Sequence, residues 1–100
     1  MRYGSQVLAV LKNLHSIGYL HRDVKPQNIM LDQNEKAHLI DYGIAMPFRT
    51  PKGDHVPKVK TSFNEGTFSF YSQNQTRGYV PSRRDDIESL LYTMLFLLKN

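Results

Sequence analysis

"HRDVKPQN" (His21–Asn28) sets a carboxylate, a lysine and a carboxamide within one short stretch, with a histidine ahead of them and a proline between. Pro26 disfavours the helical region for Lys25, so the stretch is predicted to be an irregular loop rather than a helix. Phosphoryl transfer needs a group that orients and deprotonates a hydroxyl, oxygen ligands for a metal, and a cation facing the moving phosphate. Asp23, Asn28 and Lys25 have those chemistries, in that order. Each residue also has a plain reading. Asp23 and Lys25 make an ordinary surface pair, Asn28 suits a turn, and His21 suits a packed, hydrogen-bonded site.

Working outward separates these readings. Upstream, Val7, Leu8, Leu11, Leu14 and Ile17 recur at three- and four-residue steps. That spacing predicts an amphipathic helix over 5–18. Gly18 is placed to end it in a left-handed cap, with Tyr19 as the apolar residue that often follows. The loop then occupies 19–28. Downstream, Ile29–Leu31 and Ala37–Ile40 flank a polar connection, Asp32–Lys36, and predict a β-hairpin over 29–41. Asp41 follows the second strand, where a carboxylate can point at a ligand. It also suits the start of a turn before Tyr42-Gly43. As an oxygen donor it is a candidate Mg²⁺ ligand beside Asn28.

From Pro47 to Gly66 the periodicity dissolves among Pro47, Pro51, Gly53 and Pro57. A loop of this length inside a compact domain is usually functional or mobile. "SRRD" (Ser82–Asp85) has the form of a capping box with Asp in the Glu position, opening a helix over 82–98. Its second half, "LLYTMLFLL", is apolar all round, which predicts a buried helix. The fold class expected from these elements is mainly α with one small β-hairpin.

Composition narrows the function classes. The 100 residues allow one domain at most, and the net charge of +4 is mild, with scattered basic residues. Nucleic-acid binding, which favours a concentrated basic stripe, is not expected. There is no cysteine, so disulfides and thiolate metal sites are excluded. An intracellular protein, cytoplasmic or nuclear, is expected. The densest apolar run is too short for a membrane span of roughly 20 residues, and the first ten residues lack a signal-peptide core.

Five blocks taken in order resemble protein kinases. "HRDVKPQN" is similar to the catalytic-loop signature, and "DYG" (Asp41–Gly43) looks like the metal-binding DFG with Tyr for Phe. "HVPKVK" (His55–Lys60), "GTFSFYSQN" (Gly66–Asn74) and "SRRDDIESL" (Ser82–Leu90) resemble the casein kinase 1 family. The resemblance implies a partial large lobe, with 41–74 as activation segment. It implies ATP and Mg²⁺ as cofactors and protein Ser/Thr hydroxyls as substrates. Asp23 would orient the hydroxyl and Lys25 approach the γ-phosphate. Asn28 and Asp41 would hold Mg²⁺, and Thr67 would support Asp23 and the substrate loop. His21 and Tyr42 would stack in the hydrophobic spine, and Asp86 would bond to the backbone of the catalytic loop.

Departures accompany the likeness. Ser69 stands where the family has an arginine for acidic or primed substrates, Gln73 replaces Ile, and Leu91 replaces a closely packed glycine. Overpacking at Leu91 is expected to cost about 1–3 kcal/mol. No G-x-G-x-x-G phosphate loop is present, which predicts that the isolated chain does not turn over ATP. A second reading is a catalytically inactive binding module that docks a partner through the apolar last helix.

Overall fold

The computed structural model describes residues 2–57 and 71–99. Helix α1 spans Arg2–Ser16. Its capping is the one the sequence suggests: Gly18 has φ +92°, and its N–H donates to the His15 carbonyl at 3.0 Å. The buried stripe is rotated from the expected one. Val7 and Leu11 are fully buried, but Leu8 and Ile17 face solvent, while Tyr3 and Val10 join the core instead.

After the cap the chain forms β1, Tyr19–Leu20, and crosses residues 21–25 to a 3-10 turn at Pro26–Asn28. Lys25 is extended, with φ −157° and ψ 163°, as its proline neighbour requires. Strands β2, Ile29–Leu31, and β3, Ala37–Leu39, pair antiparallel with Ile29 opposite Leu39 and Leu31 opposite Ala37. Ala37 and Leu39 point into the core while His38 points out, the two-residue alternation of a half-buried strand.

Asp32 organises the connection between these strands. Its Oδ1 accepts from the N–H groups of Asn34 and Lys36 at 2.8 and 3.0 Å, which allows Glu35 its φ of 59°. His38 Nε2 lies 2.9 Å from Asp32 Oδ2. That hydrogen bond, followed by the Lys36 N–H, lowers the Asp32 pKa to about 2. A depressed carboxylate supports the fold above its unfolded value of 3.8 and loses that support as pH falls through about 2. His38→Ala is therefore expected to move the Asp32 midpoint up toward 3.8 in an NMR titration. An unmoved midpoint would assign the effect to the backbone donors alone.

Of the Pro47–Gly66 stretch, residues 58–66 lie outside the described residues, and residues 47–57 are more ordered than their composition suggests. Strand β4, Met46–Pro47, pairs antiparallel with β1, and Arg49 bridges to His55 across a tight turn. Phe48 is completely buried. Its N–H donates to the Gly18 carbonyl and its own carbonyl accepts from Val56 N–H, at 3.0 and 2.8 Å. Burying such a side chain contributes roughly 1.5–3 kcal/mol, which explains why a Pro- and Gly-rich segment holds a fixed path here.

Helix α2, Gln73–Thr76, is capped by Ser72 and Gln75 in a reciprocal box. Helix α3 spans Arg83–Lys99. The core lies between α1, the β2–β3 hairpin and α3, and comprises Val7, Leu11, Val24, Ala37, Leu39, Leu90 and Met94. The expectation of a buried helix holds for one face of α3 only. Leu91, Leu95, Phe96, Leu97 and Leu98 are between 45% and 70% exposed. Leu91 meets no tight packing among the described residues.

Candidate active site

Extended backbone alternates its side chains, and the loop uses this. Val24 is buried in the core and sends Asp23 and Lys25 the other way, where Lys25 Nζ stands 3.8 Å from Asp23 Oδ2. Asn28 is nearly fully buried. Its Nδ2 donates to the Asp23 carbonyl at 2.8 Å and reaches Asp23 Oδ2 at 3.3 Å. Both partners are acceptors only, so the nitrogen assignment is fixed and the amide oxygen is the atom left to face a cation.

Two further bonds tie this loop to the end of the hairpin. Ile40 N–H donates to the Asn28 carbonyl at 2.8 Å, and His21 Nε2 donates to the Ile40 carbonyl at 2.9 Å. The other ring nitrogen, Nδ1, accepts from Asp23 N–H at 3.1 Å. A carbonyl can only accept and an amide N–H can only donate, so these bonds require the neutral Nε2–H tautomer of His21. His21 is thus a completely buried strut between the backbone of Asp23 and the residue before Asp41. Tyr42 meets the same ring edge to face, with centroids 4.9 Å apart. Burial raises the Tyr42 pKa.

Asp41 is exposed and adopts φ 60°, a conformation uncommon outside glycine and accessible to aspartate. Its Oδ1 accepts from Gly43 N–H at 3.3 Å. A Cβ added at Gly43 would stand 3.2 Å from that oxygen, so glycine leaves the carboxylate its position. An amide oxygen and a carboxylate suit Mg²⁺, which takes a few protein oxygens and fills its shell with water and phosphate. Among the described residues no group of three or more His, Cys, Asp or Glu forms a metal cage.

Asp86 underlies the arrangement. It is 3% exposed. Its Oδ2 accepts from His21 N–H at 2.9 Å and lies 2.8 Å from His15 Nε2, while its Oδ1 accepts from Arg22 N–H at 2.9 Å. Arg22 has φ 73°, and such a strained residue persists where its surroundings over-determine it, at a cost of about 1–3 kcal/mol. The Asp86 bond and a 2.7 Å bond from Arg22 Nε to the Ile44 carbonyl do so here.

Thr67 and Ser69 lie outside the described residues. Of the others singled out from the sequence, the structure brings Asp23, Lys25, Asn28, His21, Tyr42 and Asp86 into one bonded network, with Asp41 following Ile40 at its edge. Sequence reasoning missed His15, and it gave Asp85 only its capping role toward Ser82. Asp85 Oδ1 accepts from Ser72 Oγ at 2.7 Å and Asn74 Nδ2 at 3.4 Å, while its Oδ2 accepts from Ser82 N–H at 2.6 Å. Gln73 is held through its backbone, its N–H donating to Glu88 Oε2 at 2.6 Å and its carbonyl accepting from Arg77 N–H at 3.0 Å. A cue for His15 existed: a polar ring four residues after the buried Leu11 falls on the core face of α1.

The chain matches the model of the protein kinase domain over residues 1–90. It is 39% identical over 97 residues to a probable casein kinase I homolog of Encephalitozoon cuniculi, covering 97% of this chain and 30% of that protein. It is 38% identical over 99 residues to the B1 kinase of vaccinia virus, covering 95% of this chain and 33% of the relative. The monkeypox virus B1 kinase is matched at 38% identity, over 95% of this chain and 32% of that protein. The chain thus spans about a third of the length of these relatives. Catalytic-loop residues bonded through Asn28 and Asp86, together with a family match over most of the length, identify the chain as a member of the protein kinase family.

Proposed function

We propose that the protein carrying this chain is a casein kinase 1-type serine/threonine kinase, and that these residues belong to its large lobe. The observation that carries the reading is the double reach of Asn28 Nδ2 to the backbone and carboxylate of Asp23. It locks a would-be metal ligand against a would-be base. In the reaction, Asp23 accepts the proton of the substrate hydroxyl as that oxygen bonds to the γ-phosphorus of ATP. The bond to ADP breaks, and Lys25 offsets the charge on the transferred group. Asn28 and Asp41 would hold Mg²⁺, which neutralises phosphate charge when bound. His21 and Asp86 touch no substrate in this scheme; they hold the loop in its shape. An intracellular setting, where ATP is available, belongs to the same proposal.

The relatives named casein kinase I support the substrate class. It is tested by incubating the protein with labelled ATP and peptides bearing serine, threonine or tyrosine as sole acceptor. Label on serine and threonine is expected. Label confined to tyrosine would overturn the assignment.

A further inference from the structure

A cavity of about 490 Å³ lies between α1, Arg49 beyond β4 and the first turns of α3. Its volume falls in the range of ligand pockets, roughly 300–1,000 Å³. Leu8 and Ile87 give it an apolar wall, and Lys12, Arg49 and Arg83 converge on it with His15 at the back. Among the described residues, no carboxylate lines it. The cations arrive by regular geometry: Leu8 with Lys12, and Arg83 with Ile87, are i,i+4 neighbours on their helices.

The two guanidiniums are held in an unusual way. Arg49 and Arg83 both rest on the ring of Phe48, at 4.8 and 4.6 Å from its centroid. Phe48 is itself completely buried, so the ring is a fixed platform. Two like charges on one ring stand closer than about 10 Å, the screening length at 0.1 M salt, and repel each other. Among the described residues, no carboxylate forms an ion pair with Arg49, Arg83 or Lys12. An anion in the cavity that both arginines line offsets that repulsion and meets donors suited to bidentate contact with phosphate.

We propose that this cavity docks an acidic, phosphoserine-bearing peptide segment of a partner protein. The cations take the phosphate, and Leu8 and Ile87 take an adjoining apolar side chain. Single-stranded nucleic acid fits less well, because its bases need an open aromatic face to stack on, and Phe48 offers none. The cavity stands apart from the point of transfer. His15 lines it and contacts Asp86 Oδ2, whereas the backbone of His21 and Arg22 holds the same carboxylate from the catalytic-loop segment.

The test is fluorescence anisotropy on the protein carrying this chain. The probe is a labelled octapeptide with one phosphoserine between leucine and glutamate. An unphosphorylated twin and a single-stranded DNA octamer serve as comparisons. The phosphopeptide is expected to bind at least about tenfold more tightly than its twin. Arg83→Gln and Lys12→Gln, both exposed positions, should each weaken it by about threefold or more at unchanged melting temperature. Equal affinity for the twins, or unchanged affinity in both variants, would overturn the proposal. Tighter binding of the DNA octamer would overturn it in favour of a nucleic-acid surface.

Discussion

Asp86→Ala is expected to destabilise the fold by about 3–5 kcal/mol, the usual consequence of removing one partner from a buried, charged network. The carboxylate has three partners: the N–H groups of His21 and Arg22, and His15 Nε2. Alanine leaves all three facing a site that is almost closed to water, and each unsatisfied buried donor costs about 1–3 kcal/mol. The damage is also directional. Arg22 at φ 73° loses the bond that fixes its N–H, so the catalytic loop relaxes before the hairpin or α1 does. Asp86→Asn keeps one acceptor oxygen and should fall between wild type and alanine. Urea midpoints at constant slope measure the difference. A loss under about 1 kcal/mol for alanine would place the support of the loop elsewhere.

This dependence bears on what could be read from the sequence. The hairpin was legible because the apolar runs Ile29–Leu31 and Ala37–Ile40 flank the polar Asp32–Lys36, and the break before it because Pro26 disfavours the helical region for Lys25. The cap of α1 was legible from Gly18 alone. The buried face of α1 was not, because Leu8 and Val10 are equally apolar and only tertiary packing chooses between them. Leu8 is 46% exposed, while Val10 packs on the core. The same ambiguity affects α3: a helix apolar on every side carries no signal for which side is covered.

Phe48 escaped notice for a different reason. Its neighbours Pro47, Pro51 and Gly53 read as loop, and nothing local says that one aromatic among them fills the space beside His15 and His55. Likewise the His15–Asp86 contact joins residues 71 apart in sequence, and no local spacing rule reaches that far. The chemistry of the site was visible as residue types in order. Of its bonding, the family resemblance implies the Asp86 bonds to the loop backbone and the His21–Tyr42 contact, while the links through His15, Asn28 and Ile40 emerge only in three dimensions.

The largest effect on activity is expected at Asp23. Its carboxylate is held on one side by Asn28 Nδ2 and faces Lys25 Nζ at 3.8 Å, and its backbone is pinned at both N–H and carbonyl. Asparagine fits the same space and keeps those backbone bonds, so the fold should be unaffected. What it lacks is a group able to accept a proton, and a positioned general base is worth about 10²–10⁴ in rate. The decisive measurement is the single-turnover rate of γ-phosphate transfer to a serine peptide, for wild type and Asp23→Asn side by side. Phosphoryl transfer through this site predicts a loss of about a hundredfold or more at equal melting temperature. Equal rates in the two proteins would contradict it.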